Sequence, residues 1–392
     1  MQQSRLFLLL YTLAWAGGTI AYVPLLTVLL PARIAGIAGD EAVAWLASIS
    51  FVGAIAASLG NIGFGWLSDR MGSRRMVAAA GLALSSVLLI AIGRAETLPV
   101  LLIVITGWQL SLNMMLSPLA AWAGDTVPDA QKGQLGGLLS IAPAIGAAAG
   151  IVVTLPGLFA GEHRLSILVL MIAAFVLPLL VWGRPKPFPA LTEAPAPNAL
   201  SAERSLGPRR AVTGMWLARL LIQITEAALF SYLLLWLRSL SDAFSENAVA
   251  WVYSVVLMIG IPLAMVAGRW ADKRNKPIQP LAVCAACVAV GLAVMGVAPN
   301  VTMALVGYLV FGVAGAVFLA LHSAQTLRVL PQPTTRGRDL GIFNLTNTLP
   351  ALIMPGLTLA LVPVFGFAGL FFLLCALAAM AGTVLFALAR AG

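Results

Sequence analysis

Long apolar runs recur along the whole chain and restrict its fold more than any other feature. Each run has about 18–28 residues, and an α-helix needs about 20 to cross a bilayer. Only 9% of the residues are charged, too few to cover a water-soluble protein. The sequence therefore predicts an all-α membrane protein with twelve transmembrane helices, at 7–30, 44–67, 76–93, 100–124, 135–160, 165–183, 211–237, 248–268, 279–298, 301–329, 340–364 and 368–389.

The positions of Lys and Arg predict the orientation of these helices. With both termini in the cytoplasm, 18 of the 23 basic residues fall on the cytoplasmic side, where basic residues normally collect. The opposite side then holds Arg33, Arg94, Arg164 and Arg238, and Arg219 lies inside a span. We therefore expect both termini in the cytoplasm, with a bacterial inner membrane as the location, and we attribute the net charge of +9 to topology rather than to nucleic-acid binding.

One polar stretch divides the chain into halves. Residues 184–210 contain six prolines and scattered charges, a composition typical of a linker. We expect an N-terminal six-helix bundle at 1–183, a cytoplasmic linker at 184–210 and a C-terminal six-helix bundle at 211–392. The two bundles are expected to be pseudo-symmetric.

Equivalent loops of the two halves repeat one pattern, a glycine followed four residues later by an aspartate and then by basic residues. The first reads Gly65-Trp-Leu-Ser-Asp69-Arg70-Met-Gly72-Ser-Arg74-Arg75, and the second reads Gly268-Arg-Trp-Ala-Asp272-Lys273. Internal repeats are typical of duplicated transporters. The first loop closely resembles the G-x-L-x-D-R-x-G-x-R-R signature of the major facilitator superfamily, and the second is a degenerate match.

This resemblance implies a role for the two loops. In that family the aspartate and arginine hold neighbouring helix ends on the cytoplasmic face and so stabilise the outward-facing state. The implied cytoplasmic gate comprises Gly65, Asp69, Arg70, Gly72 and Arg74 in the first half and Gly268, Asp272 and Lys273 in the second. The alternative is that these charges only set topology. Asp69 argues against it, because acidic residues contribute little to topology.

Polar residues concentrate in spans 1, 4, 7 and 10, whereas spans 3, 6, 9 and 12 are almost purely apolar. Polar groups in a membrane normally face the bundle interior, and the resemblance likewise implies that spans 1, 4, 7 and 10 line a cavity. Tyr11, Trp15 and Tyr22 share one stripe of span 1 and can stack on a flat solute. The alternative is core packing or an interfacial aromatic belt. Gln109 and Asn113 of span 4 are candidate solute ligands, although such amides also join helices.

Span 7 carries the most informative residues. Arg219, Gln223 and Glu226 follow the i, i+4, i+7 spacing of one helix face. A carboxylate near the middle of the bilayer is costly to ionise, so Glu226 is the candidate proton carrier, and Arg219 and Gln223 are candidate substrate ligands. The alternative is a static Arg219–Glu226 ion pair. Further candidate substrate ligands are His322 and Gln325 in span 10 and Asn344 and Asn347 in span 11.

The segment from Arg338 to Pro350 resembles that of sucrose-type and glycoside-type sugar symporters, which implies uptake of a sugar or glycoside coupled to a cation. Those families place acidic residues in helices 2 or 4, but spans 1 to 6 have no mid-membrane acid here. If transport is coupled to a cation, we therefore expect Glu226 to carry a proton as that cation. Otherwise the protein is a uniporter. The alternative function is proton-coupled export of drugs or metabolites, because Pro143-x-x-Gly146 partly matches an antiporter signature.

Other classes of function are less well supported by the sequence: a channel would not need the duplicated loops, and Asp69 and Glu226 argue against the alternative of a receptor or scaffold that has lost transport. It has no HExxH motif, no P-loop and no paired carboxylates, so we expect no enzyme activity, no cofactor and no metal site. The expected partners are a small-molecule substrate, protons and membrane lipid, with no nucleic acid, and the expected state is a monomer.

Overall fold

The structure is a computed structural model, and it is all-helical over the residues that it describes. These are 2–158, 163–188, 209–274, 278–329 and 336–391, and side chains are described except at 129–130, 132–133, 209–211, 272, 323–329, 336–344 and 391. The helices are α1 (Arg5–Pro24), α2 (Leu30–Ala38), α3 (Ala42–Met71), α4 (Arg74–Ile92), α5 (Leu98–Thr126), α6 (Asp129–Leu139), α7 (Ala142–Val153), α8 (Arg164–Trp182), α9 (Arg209–Leu240), α10 (Glu246–Arg274), α11 (Gln279–Val297), α12 (Val301–Val329) and α13 (Arg336–Ala391).

The structure joins some predicted spans and divides another. Within the described residues, ten continuous helical runs are long and apolar enough to cross a membrane. Two of them, of 67 and 46 residues, greatly exceed the length of about 20 that one crossing needs. Each contains a glycine with positive φ, Gly39 at 52° and Gly366 at 65°, where the helical backbone breaks. Counting each of these two runs as two spans gives the predicted twelve.

Prolines account for two departures from the predicted spans. The sequence predicts that the first span ends at residue 30, but it extends to Ala38 because a π-helix at Leu25–Leu29 connects α1 to α2. Such a bulge accommodates the backbone hydrogen bond that Pro24 cannot donate. Within the span predicted at 135–160, which ends at Val153, a two-residue turn at 140–141 separates α6 from α7. The new helix starts with Pro143 in its first turn, where a proline needs no intrahelical partner for its nitrogen.

Contacts divide the chain into two compact units. Unit 1 comprises Met1–Ala194 and Ser245–Ser254, and unit 2 comprises Pro195–Phe244 and Val255–Gly392. In unit 1, α1 packs against α7 and α8, and α5 packs against α3 and α4. In unit 2, α9 packs against α13 and α12, and α11 packs against α12 and α13. Most of the predicted linker lies outside the described residues.

A glycine allows two helices of each unit to pack backbone against backbone. A Cβ atom added to Gly81 of α4 would lie 2.4 Å from the Met115 nitrogen of α5. A Cβ atom added to Gly291 of α11 would lie 2.5 Å from the Phe311 nitrogen of α12. Small residues let membrane helices approach to backbone contact. The duplication seen in the loops therefore extends to the packing of both units.

We expect Gly81→Ala to destabilise unit 1, because the backbone of α5 cannot move aside as a side chain can. The cost should be about 1–3 kcal/mol, as for other overpacked sites, measured as a lower thermal midpoint in detergent. Gly107→Ala is the matched control on the same helix pair, since its Cβ would meet only the Leu88 side chain, at 3.3 Å. Equal midpoints for the two variants would contradict this account of the α4–α5 contact.

Candidate functional site

A polar cluster in unit 2 gathers four of the predicted site residues, Arg219, Gln223, His322 and Asn347. Gln223 Nε2 donates to Asn347 Oδ1 at 2.6 Å, and Arg219 Nη2 donates to the same oxygen at 3.3 Å. Both hydrogen bonds lie at an exposed position. The predicted polar face of α9 is thus joined to α13 through one amide oxygen.

His322 contacts the other side of the Arg219 guanidinium. The imidazole is fully buried, with Nε2 2.9 Å from the Met215 carbonyl and Nδ1 3.3 Å from Arg219 Nη1. The carbonyl can only accept and the guanidinium can only donate. This geometry therefore assigns the neutral tautomer of His322, with hydrogen on Nε2 and an accepting Nδ1.

Glu226 lies two turns from Arg219 on α9, in a different environment. Its Oε1 atom is buried and has no hydrogen-bond partner within the part of the chain that the structure describes. The carboxyl packs onto Gly315 of α12, where an added Cβ would lie 1.7 Å from Oε1. A static Arg219–Glu226 ion pair, the alternative from the sequence, is not among the ion pairs between described residues.

We expect Gly315→Ala to displace the Glu226 carboxyl without removing it. The methyl group would occupy the position of Oε1, so the side chain must adopt another rotamer. Uptake driven by a pH gradient should fall about tenfold or more, since a shift of about 1 Å in a functional group can cost two orders of magnitude. Gly356→Ala, with nothing within 4 Å of the new Cβ, should transport like the parent, and equal loss in both variants would contradict the assignment.

The aromatic stripe of α1 has one buried and two partly exposed members. Tyr11 is 2% exposed and donates its hydroxyl to the Leu119 carbonyl at 3.0 Å. Trp15 is half-buried and stacks on Tyr11, with ring centroids 6.3 Å apart. Tyr22 is also half-buried. Tyr11 is thus placed to orient the Trp15 ring.

Asn113 connects α5 to α3. Its Nδ2 donates to the Gln109 carbonyl at 2.9 Å, and its Oδ1 accepts from Asn61 Nδ2 at 3.4 Å. Ser117 Oγ also donates to the Asn61 carbonyl, at 2.7 Å. The Gln109 side chain is half-buried beside Gly53. Asn113 therefore joins helices, which was one of its two expected roles.

An ionic cluster joins the ends of α3, α4 and α5, and we call Ser68, Asp69, Arg74 and Asp125 the inner cluster. Arg74 forms an ion pair with Asp69, donates from Nε to Asp125 Oδ2 at 3.0 Å and donates from Nη1 to Ser68 Oγ at 2.6 Å. The Arg74 side chain is only 19% exposed. One arginine thus holds three polar groups from two neighbouring helices.

The glycines of the first loop have separate structural tasks. Gly72 has φ of 62° and ends α3 in the left-handed conformation, which glycine adopts without strain. A Cβ atom on Gly65 would lie 2.8 Å from Ser117 Oγ, so this glycine allows α3 to approach α5. Arg70 lies outside the inner cluster, with its guanidinium 5.5 Å from the Trp66 ring centroid.

The second loop is described only in part. A Cβ atom on Gly268 would lie 3.4 Å from the Leu321 side chain, and Lys273 is exposed. The side chains of Asp272, Gln325 and Asn344, all predicted site residues, lie outside the described residues.

Sequence reasoning missed several partners of the predicted site residues. Asp125 and Ser68 complete the inner cluster, and Gly315 receives the Glu226 carboxyl. A further ion pair within unit 1, between Arg164 of α8 and Glu246 at the start of α10, involves no predicted site residue. Asp125 carried a usable signal, because an acidic residue at a span end beside a basic loop suggests a pair. Gly315 carried none.

Comparisons with known proteins agree with this architecture. The family model described as Major Facilitator Superfamily matches residues 7–331 and 215–391. A search of curated protein sequences finds no match. The crystal structure of a mutant of the nucleoside transporter NupG is similar, with a TM-score of 0.71, 13% identity and coverage of 98% of this chain and 99% of that one.

A human protein with the same fold gives a second comparison. The human organic anion transporter MFSD10 (TETRAN) has a TM-score of 0.67 and 14% identity, with coverage of 97% of this chain and 99% of that chain. At these identities the solved structures show the fold alone, whereas the family match spans most of the sequence. The chain belongs to the Major Facilitator Superfamily, a family of membrane transporters.

Proposed function

We propose that this protein is a secondary active transporter that moves a sugar or glycoside by alternating access, coupled to protons. The observation that carries the coupling is the buried carboxyl oxygen of Glu226, which has no hydrogen-bond partner within the described residues. A proton on this carboxyl removes the cost of an ionised group inside the membrane. Glu226 then binds a proton on one side and releases it on the other.

We propose solute ligands within each unit, described for each unit by itself. In unit 1 they are Trp15, Tyr22 and Gln109, whose side chains are half-buried, with Tyr11 and Asn113 holding them in place. In unit 2 they are Arg219, Gln223 and Asn347, with His322 beside them. Amide groups and aromatic faces suit the hydroxyls and apolar faces of sugars. Gln325 and Asn344 stay in the proposed set on the sequence argument alone.

The gate, the location and the oligomeric state complete the proposal. The inner cluster is proposed to release when the transporter changes state, with Gly268, Asp272 and Lys273 as its counterpart in the second half. We propose that the protein lies in a bacterial inner membrane. Both termini are placed on its cytoplasmic side because of the distribution of basic residues. We propose a monomer with a bundle at 1–183, a linker at 184–210 and a bundle at 211–392.

Export of a drug or metabolite is the second candidate. What supports it is the partial match of Pro143-x-x-Gly146 to an antiporter signature. A Cβ atom on Gly146 would lie 2.9 Å from the Thr19 carbonyl oxygen. This close contact between α7 and α1 is a position where a glycine is required. The solved structures of similar fold include a nucleoside transporter and an organic anion transporter, so the fold itself is compatible with either candidate.

Proton movement in proteoliposomes tests the proposed function. Purified protein would be presented with a panel of mono-, di- and amino sugars while the external pH is recorded. We expect external alkalinisation on addition of one class of sugar, with no such signal in Glu226→Gln. If no sugar of the panel changes the external pH, although the protein has a normal thermal midpoint, export is favoured. Lipophilic compounds would then be tested.

A further inference from the structure

We propose that a groove on unit 2 binds an anionic phospholipid, with an acyl chain along its apolar walls and the phosphate group at Arg274. The groove has a volume of about 600 Å³, and residues of α10, α11 and α12 line it. All of these lining residues belong to unit 2. The proposal concerns a lipid of the surrounding membrane, so it does not depend on which solute is transported.

The walls of the groove are apolar and accessible from outside the protein. Leu263 and Val266 of α10 are 46% and 61% exposed, and Val283 of α11 is 57% exposed. These residues fall inside the predicted spans 248–268 and 279–298, where lipid hydrocarbon replaces water around the protein. Among the described residues that line the groove, Gln279 contributes an amide at one end and the others are apolar. Such walls suit an acyl chain.

The length of the groove matches one leaflet of a bilayer. Its α11 wall runs from Gln279 to Cys287, which is about 12 Å at 1.5 Å per residue. Half of a hydrocarbon core of about 30 Å is about 15 Å. Trp270 lines the same end as Gln279, and tryptophan is enriched where hydrocarbon meets the headgroups. In the proposed orientation this end is cytoplasmic, so a lipid of the inner leaflet would place its headgroup there.

Arg274 continues the face of α10 that lines the groove. The lining positions of α10 follow the spacing i, i+3, i+4, i+7 of one helix face and are Leu263, Val266, Ala267 and Trp270. At about 100° per residue, Arg274 lies about 20° from Leu263 around the helix axis, whereas Arg269 lies about 120° away. Both arginines are exposed. A guanidinium can bind a phosphate through paired hydrogen bonds, so Arg274 is placed to hold the headgroup.

The charge at this end of the groove favours an anionic lipid. Residues 269–276 contain four basic residues and one acidic residue, Asp272. A surplus of positive charge therefore persists even where Asp272 pairs with one of the basic residues. Basic clusters beside the membrane attract the anionic lipids of the cytoplasmic leaflet. A second copy of this chain is a poorer occupant, because a symmetric contact at the groove would bring two such basic clusters together.

Titration of lipids onto delipidated protein tests the headgroup. Dioleoyl phosphatidylglycerol and dioleoyl phosphatidylcholine have the same acyl chains, and native mass spectrometry counts the lipids bound to each protein molecule. We expect the parent to bind phosphatidylglycerol about tenfold or more tightly than phosphatidylcholine. Arg274→Gln should weaken binding of phosphatidylglycerol about 10- to 100-fold, as charge-assisted hydrogen bonds are lost. Arg269→Gln, the matched control on another face of α10, should weaken it about fivefold at most.

A second pair of variants tests the acyl-chain part of the groove. Val283→Trp would fill the groove, and we expect it to weaken binding of both lipids about tenfold or more. Val290→Trp is the matched control, because Val290 lies on the same helix and is 58% exposed but is not a lining residue. It should bind both lipids as the parent does.

Three results would overturn the proposal. These are equal affinity of the parent for the two lipids, equal losses in Arg274→Gln and Arg269→Gln, and unchanged lipid binding in Val283→Trp. A dimer that forms in place of the lipid-bound monomer, and that Val283→Trp disrupts, would assign the groove to a second copy instead. Since these measurements record bound lipid and not transport, their failure would leave the proposed function standing.

Discussion

Glu226→Gln is expected to abolish solute accumulation driven by a pH gradient while leaving exchange of solute across the membrane. Glutamine keeps the size and polarity of the side chain but carries no exchangeable acid proton. With one proton per solute, a gradient of one pH unit is worth about 1.4 kcal/mol, which can sustain at most about tenfold accumulation. The variant should reach equal concentrations inside and outside, measured as the internal-to-external ratio of labelled solute.

The control for this prediction is a carboxylate that the account leaves without a transport role. Glu41 is exposed and accepts a hydrogen bond from Trp45 Nε1 at 3.2 Å. Glu41→Gln should therefore accumulate solute as the parent does. Full accumulation by Glu226→Gln, at unchanged protein content, would show that another group carries the proton.

Arg74→Gln is expected to disrupt the inner cluster and with it both stability and transport. The substitution leaves Asp69 and Asp125 without the arginine that they share and removes the bond to Ser68. Hydrogen bonds to charged groups contribute about 1.5–3 kcal/mol each, with less at exposed positions. We expect a loss of about 2 kcal/mol overall, seen as a lower thermal midpoint, and transport reduced about tenfold or more.

Arg70 provides the matched comparison on the same loop. Its guanidinium lies over the Trp66 ring at an exposed site rather than between carboxylates. Arg70→Gln should change stability by about 0.5 kcal/mol or less, as for other surface positions. If both variants lose the same stability, the loop is held by its total positive charge rather than by Arg74.

The class of fold could be predicted from the sequence because a membrane imposes simple rules on it. Apolar length sets the spans, basic residues indicate the loops, and the Gly65–Arg75 motif pointed to the family that the comparisons show. The breaks were less predictable. The π-helix after Pro24 and the break between α6 and α7 depend on how neighbouring helices pack against the backbone, which the hydropathy of the sequence does not show. The break at Gly366 of α13, by contrast, lies between the predicted spans 340–364 and 368–389.

The candidate site could be predicted along one helix but not across helices. The spacing of Arg219, Gln223 and Glu226 follows from helical geometry alone. Their partners Asn347 and Gly315 come from α13 and α12, and tertiary packing selects them. Likewise, the stripe on α1 does not reveal that the hydroxyl of Tyr11 is already engaged by Leu119.

The most direct test of the central claim is to observe the proton on Glu226 itself. Infrared difference spectra would be recorded in a membrane as the transported solute is added to the parent and to Glu226→Gln. The account predicts a change in the carbonyl band of a protonated carboxylic acid when solute binds to the parent, and no such band in the variant. An unchanged band in the variant, or no carboxylic-acid band in the parent while transport remains proton-coupled, would contradict it.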